Sequence, residues 1–543
     1  MTAPGISAES RRALACWFVF AILLAWGAWR RFSLPLEPVA DLDTWGYLGP
    51  AVLKLTRGEF IHSCGRNFVY PTFLLSVLRI FGDFRAVVVV QHLLGLAGGG
   101  LLFLTWQRVR LFVAASRFGD RVHLGLGLLL AAVFLLAGEP IRAEMGLRPE
   151  AICGFLLAVN LFCAVEFGAR TFVLRKAAVA AGVGTGVSSV LLSSVKPSFV
   201  FLAAVPLLPI GIFLLTRNPL RQKLTIALGI LAATAALVLP EYLLRRDDPG
   251  GRLFLPTTLF VIHADLIRDQ MADDVAKRAV LPYPLDWVER MQQQLAAEIA
   301  KSAPIGGRKF PSLGFSPDDL MYGPKSTAEQ VVGEFKDDAD AITSFYRFYY
   351  WRTWRHRPLA MTKKVARQAL LFYRAPSPVF DRRKIIPLTE VYKVGTASFD
   401  LDSYLEHLNA YPPAREWLPR AASLAEAAPP IEQGRFVRLP ILFLAGANIW
   451  LLGLTLVTAV ACFQRDFRKR VGGLAALALL VFAYNGAGCV EVAIIASFDG
   501  PRYSTVLFCS TALAAFLALR LLLEVVIQLM RWGRPIQTSA PGE

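Results

Sequence analysis

Residues 86–106 read AVVVVQHLLGLAGGGLLFLTW, a run of twenty-one in which His92 is the only ionisable side chain. A helix that crosses a bilayer needs about 20 mostly apolar residues, and one apolar on every side has no use for a water-facing surface. Nine further stretches read the same way, at 13–32, 122–138, 149–167, 177–195, 198–216, 224–244, 439–463, 471–495 and 504–530. Composition agrees. Of 543 residues 55% are hydrophobic and 18% charged, with a mean hydropathy of +0.47, against about 45–50% and about 25% in soluble domains. The expected fold is an all-α polytopic membrane protein with about ten transmembrane helices. In the last stretch Arg520 and Glu524 stand at i, i+4, where they pair or snorkel to the inner end.

The net charge of +17 suits cationic loops beside anionic lipid headgroups better than nucleic acid. No zinc-knuckle or RNA-binding signature occurs, so no nucleic-acid partner is expected. Most of the seven cysteines, Cys16, Cys64, Cys153, Cys163, Cys462, Cys489 and Cys509, lie in apolar runs, where a thiol acts as a small hydrophobe. None has metal-binding spacing. Cys64 and Cys489 can both face the outer side, where a pairing between them is open.

The distribution of Lys and Arg sets the expected orientation. With the N-terminus inside, the inner segments carry eighteen basic residues, and the three short outer loops carry only Arg142, Arg148, Lys196 and Arg502. Arg30 and Arg31, at the outer end of the first helix, break the rule. Both termini are expected in the cytoplasm. The first helix reads as uncleaved, since Trp26, Trp29, Arg30 and Arg31 crowd the place where a signal peptide needs small residues.

This topology divides the chain into three parts. Residues 1–244 form an N-terminal transmembrane module containing the outer segment 33–85. Residues 245–438, more polar than their flanks, form an α-rich extracytoplasmic domain between the seventh and eighth spans. Residues 439–543 supply the last helices and a short cytoplasmic tail. Helical patterns within the outer domain fall near 285–302, 327–355 and 358–372, and Pro249-Gly250-Gly251 and Ala428-Pro429-Pro430 punctuate it.

Residues suited to chemistry collect on the outer side. In DLDTWGYLGPAVLKLTRGEF (41–60), Asp41 and Asp43 follow the membrane exit. Leu48, Val52 and Leu55 then share one face of a short helix expected to lie on the membrane surface. An ionised carboxylate there can take a proton from an attacking hydroxyl. On the bare motif, however, Asp43 reads first as the N-cap of a helix starting at Thr44 or Trp45. Glu144 and Glu150 flank an outer turn, and Glu150 opens a helix, where a carboxylate favours the dipole. Glu491 lies inside an apolar run and should face the interior or a wet cavity. Arg66 precedes Tyr70-Pro71, Lys196 precedes Pro197, and Arg502-Tyr503 opens the last span. A lone Arg in a short outer loop is well suited to hold a phosphate. Met361, Val365, Ala369 and Phe372 oppose Lys363, Lys364 and Arg367, which reads as an interfacial helix attracted to anionic lipid.

Four stretches, DLDTWGYLGPA, RNFVYPTFLLSVLRIFG, EMGLRPEAICGFLLAVNL and SFDGPRYSTVLF, together resemble the GT-C superfamily of membrane glycosyltransferases, in its bacterial branch related to protein O-mannosyltransferases and lipopolysaccharide-modifying transferases. The resemblance covers the first ~170 residues well and the last ~60 tolerably; the outer domain matches no family. It implies inverting transfer of a sugar from a polyprenyl-phosphate donor to a lipid, glycan or protein acceptor, in the bacterial inner membrane. It implies Asp43 as general base, with Asp41 a partner, metal ligand or second candidate. Arg502, with Arg66 or Lys196, would hold the leaving phosphate, and Tyr70 and Tyr503 belong to the matching motifs. Glu150 and Glu144 would orient sugar hydroxyls or acceptor. Some members use a divalent cation such as Mg or Mn; Asp41 and Asp43 permit one, though two carboxylates alone make a poor cage. Three features depart from the family: Trp45-Gly46, the Gly49-Pro50 break, and Lys196-Pro197 where relatives often have Arg-Pro. The rival readings are a transporter or flippase, disfavoured because no repeated halves are visible, and a non-catalytic relative that keeps the fold.

Overall fold

The structure is a computed structural model that describes residues 8–61, 66–113, 117–246, 249–399 and 402–532. It is helical throughout, apart from one antiparallel ribbon of Ile385–Ile386 with Ile431–Glu432. All ten apolar stretches fall on helices. Eight are long and apolar enough to cross a membrane: Arg12–Phe32, Arg85–Phe112, Gly119–Leu136, Glu150–Val173, Leu220–Leu244, Arg435–Ala461, Phe467–Ile495 and Phe508–Met530. A ninth is broken, Pro197–Ala204 and Leu207–Leu215 meeting at 41°. The tenth, Val179–Val195, is shorter.

The helices pack out of sequence order. Arg85–Val109 lies against Glu150–Gly168, which continues through Val179–Val195 to Leu220–Arg246 at the periphery. The helix Phe508–Trp532 enters the middle of this set, touching Arg117–Leu136, Glu150–Gly168, Arg435–Ala461 and Arg465–Ile495. Its residues 508–518 are buried without a break, because STALAAFLA offers small residues on the faces its neighbours approach.

Several ionisable groups inside this packing are matched by a counter-charge or by backbone groups, as a low-dielectric interior favours. Arg31 is fully buried and makes two hydrogen bonds to Glu144, at 2.7 and 2.8 Å, and one to the Leu135 carbonyl at 2.6 Å. His92 Nδ1 lies 2.8 Å from the same carboxylate. Gly95 leaves the space, since a Cβ there would come within 2.0 Å of Glu144 Oε1. The guanidinium of Arg30 donates to the carbonyls of Leu136 and Glu432. Both exceptions to the charge rule are therefore structural bonds. Glu491 faces the interior and accepts the amides of Val200 and Phe201 at 3.1 and 2.8 Å, so it caps the first half of the broken span. Arg520 and Glu524 pair at 2.5 Å rather than snorkelling.

Two surface-helix expectations are corrected. The apolar face of Thr44–Arg57 is not turned to lipid: Leu48, Ala51 and Val52 are fully buried against Val69–Phe81 and its surroundings. Likewise Met361, Val365 and Phe372 are buried against Arg465–Ile495, and Lys364 turns inward to the Ile262 carbonyl and Asp265. In both cases protein covers the stripe that amphipathicity had assigned to the membrane. Cys489 is buried; Cys64 lies outside the described residues.

The segment 245–438 divides between two cores. Helices from Pro249–Ile262 to Ala339–His356 enclose Phe260, Trp287, Leu295, Phe345 and Tyr349. From Phe372 to Ile431 the side chains join the main core, and Tyr392 and Trp417 donate to the carbonyls of Glu37 and Pro38 at 2.6 and 3.2 Å. Removing the acidic member of the deepest pair, by Glu144→Gln, is expected to leave Arg31 buried without its counter-charge and to destabilise the protein by about 3–5 kcal/mol. Thermal unfolding in detergent would register this as a lowered midpoint; an unchanged midpoint would show that the triad is dispensable.

Candidate functional site

The loop carrying both aspartates is held at its start. Val39 pairs with the turn after Ala143–Glu144, its amide donating to the Met145 carbonyl at 2.8 Å and its carbonyl accepting from Leu147 at 2.9 Å. This ladder sets Asp41 beside Arg148. The helix Leu388–Ala397 closes over it so tightly that a Cβ on Gly395 would lie 2.7 Å from the Ala40 carbonyl.

The two aspartates have different jobs. Asp41 is the organiser of the turn: its Oδ1 accepts from the Asp43 amide at 3.0 Å and from the Thr44 hydroxyl at 3.1 Å, while Thr44 Oγ1 accepts the Asp41 amide at 2.8 Å. Its other oxygen meets Arg148 at 2.5 Å. Asp43 stands at the N-cap position of Thr44–Arg57, yet its helical torsions (φ −89°, ψ −12°) take the side chain away and it makes no capping hydrogen bond. The capping reading of Asp43 is thus overturned, because Asp41 and Thr44 already satisfy the turn. Asp43 is left to Arg66, 2.6 Å away, and to Arg502, which donates to its other oxygen from 459 residues further on.

Around this pair the groups interlock. Arg502 also donates to the Tyr503 hydroxyl at 2.8 Å. Lys196 bonds Glu150 at 2.7 Å and sits over the Tyr503 ring. Arg66 lies over the ring of Tyr47, 5.0 Å from its centre, and Tyr47 meets Tyr70 edge-on. Tyr70 is itself buried and donates to Gln91 at 2.9 Å, so it supports the site from behind. Four cations (Arg66, Arg148, Lys196, Arg502) thus face three carboxylates (Asp41, Asp43, Glu150). Burial acts to raise the Asp43 pKa, but Arg502 and Arg66, helped by Arg148, outweigh it and hold the carboxyl below its ordinary value. Burial acts to lower Arg502, but Tyr503, Asp43 and Glu150 raise it above the ordinary guanidinium range.

Of the residues expected at the site, Asp41, Asp43, Arg66, Lys196, Glu150, Arg502 and Tyr503 come together. Glu144 lines a small, mostly apolar cavity with Glu150, Phe134, Phe155 and Cys509, but both its oxygens are committed to Arg31 and His92. A divalent cation does not fit Asp41 and Asp43: their oxygens face three guanidiniums. No group of three or more His, Cys, Asp and Glu able to hold a metal occurs among the described residues. Arg148 was read only as an outer-loop charge, although its place in LRPE, two residues before Glu150, marked it. Tyr322, exposed at the end of Pro317–Tyr322 and within electrostatic reach of Asp43, Arg66 and Tyr503, had no signal in the sequence.

No family model matches the chain, and no curated protein matches it. Among solved structures, the crystal structure of ArnT from Cupriavidus metallidurans bound to undecaprenyl phosphate is similar at 14% identity and a TM-score of 0.31, over 96% of this chain and 78% of that one. A likeness this loose carries no argument about the site.

The lowered Asp43 pKa has a sign. A carboxyl held below its unfolded value of 3.8 contributes stability that is complete above the unfolded value and lost as pH falls through the folded one. The difference in melting midpoint between wild type and Asp43→Asn should therefore stay constant from about pH 5 to 8 and shrink below about pH 4. A difference that changes between pH 6 and 8 would show that another group governs the cluster.

Proposed function

We propose that the protein is a membrane glycosyltransferase that moves a sugar from a polyprenyl-phosphate donor to an acceptor hydroxyl or amine on the outer face of the membrane. The observation that carries this reading is Asp43, held between Arg66 and Arg502 in a cluster with one more cation than carboxylates. Such a cluster suits a phosphate diester, whose single negative charge balances the excess. Arginines are apt for it because their fork matches phosphate oxygens. An anion that draws Arg66 and Arg502 toward itself also weakens their hold on Asp43, which then becomes a stronger base where one is needed.

In this mechanism the acceptor oxygen or nitrogen attacks the anomeric carbon and passes its proton to Asp43. The bond from that carbon to the phosphate oxygen breaks, and the polyprenyl phosphate leaves with the electron pair, neutralised by Arg502, Arg66 and Lys196. Attack opposite the leaving group inverts the anomeric centre. Glu150, steadied by Lys196, is placed to accept hydrogen bonds from sugar hydroxyls; Glu144 is reserved to the fold. The excess of Lys and Arg on the other side supports an outward-facing site with both termini in the cytoplasm, and a bacterial inner membrane follows from the family resemblance. The 41° break between Pro197–Ala204 and Leu207–Leu215 favours a second reading, transport of a lipid-linked substrate, since broken helices line many transport paths.

Release of labelled sugar from polyprenyl-phosphate donors separates the two. Wild type is expected to turn donor over, and Asp43→Asn, eluting identically on size exclusion, to lose about a hundredfold or more. Unchanged turnover in the variant would move the base elsewhere, and donor binding without turnover would favour transport.

A further inference from the structure

The turn that precedes Arg502 is held by a hydrogen-bond network in which Asp499 is central. Asp499 Oδ2 accepts three hydrogen bonds: from the Ser312 amide at 3.1 Å, from the Ser312 hydroxyl, and from the Ser497 hydroxyl at 2.9 Å. Its own amide donates to Ser497 Oγ at 3.1 Å. Gln368, almost fully buried, completes the set: its Nε2 donates to Ser312 Oγ at 2.6 Å, and its Oε1 lies 3.2 Å from Ser497 Oγ and 3.4 Å from the Phe498 amide.

Ser312 belongs to the outer unit whose core holds Phe260 and Phe345, in the loop between Leu285–Lys309 and Pro317–Tyr322. That loop is stiff. Phe315 is buried, and its backbone passes so close to Gly306 that a Cβ there would lie 2.3 Å from it. Gln368 sits on Pro358–Tyr373, which Lys364 ties to the same unit through Asp265 and the Ile262 carbonyl. The turn 496–500 thus takes its position from the outer unit. Two residues further on, Arg502 reaches Asp43.

We propose that Asp499 is a positioning residue: by accepting three hydrogen bonds at one oxygen it anchors the turn 497–502 to the outer unit and so fixes where the Arg502 guanidinium stands. The effect on substrate rests on the proposed donor chemistry; the effect on the turn does not. Because the role is acceptance at one oxygen, Asp499→Asn keeps it and Asp499→Ala removes it. Ser312→Ala takes away one donor and the Gln368 contact by a second route, should the alanine at 499 fail to fold.

Two measurements on the full-length protein in detergent test this. Hydrogen exchange over residues 497–505 should rise about tenfold in Asp499→Ala and Ser312→Ala and stay near wild type in Asp499→Asn. Binding of polyprenyl phosphate should weaken about tenfold in the two alanine variants and no more than about twofold in the asparagine one. In turnover the loss should appear in kcat as well as in KM for the donor, because Arg502 neutralises the leaving phosphate, and Asp499→Asn should restore both. Unchanged exchange in both alanine variants, or an asparagine variant as impaired as alanine, would overturn the proposal. Wild type that binds no polyprenyl phosphate, with exchange responding as expected, would sink the donor reading and leave the anchoring of Arg502 standing.

Discussion

An arginine and an aspartate that lie 459 residues apart in sequence meet in this protein, and the architecture can be read as what it takes to hold them together. Asp43 lies in the segment that follows the first helix, directly before Thr44–Arg57, and Arg502 in the short helix Pro501–Thr505 that precedes the last. The segment before Asp43 is fixed by its ladder to the turn at Met145, and the turn before Arg502 is bonded through Asp499 to Ser312. The bundle supplies the frame. A charged pair between flexible loops contributes little; the same pair between clamped loops becomes a defined place for a substrate charge.

Much of the fold was legible because the membrane imposes length and hydropathy as hard conditions. Ten apolar stretches became helices, and the carboxylate inside one of them, Glu491, had to find donors and did. What the pattern could not show was the identity of partners. Amphipathic stripes at Leu48–Val52 and at Met361–Phe372 look the same whether lipid or protein covers them, because either removes apolar surface from water. The Arg30-Arg31 pair likewise reads as misplaced charge until Glu144 and the Leu136 carbonyl are seen beside it.

The candidate site shows a similar division. On the bare residues Asp43 reads first as a cap and Glu150 as a partner of the helix dipole; the resemblance of the motifs around them is what joins Asp43, Arg66, Glu150, Lys196 and Arg502 into one site. The separate roles of Asp41 and Asp43 were hidden, though Thr44 three residues after Asp41 is a local signal that Asp41 closes the turn. Tyr322 was out of reach, because its approach to Asp43 depends on how the outer unit packs and on nothing nearby in sequence.

The helix Phe508–Trp532 is among the most enclosed of the spans and is made after the helices that surround it. Insertion follows synthesis from the N-terminus, so this helix enters among neighbours that are already made. A chain interrupted before residue 500 would not be a shorter version of the protein. It would lack both its central packing and the guanidinium opposite Asp43, and would leave uncovered the apolar faces that this helix covers in the finished molecule.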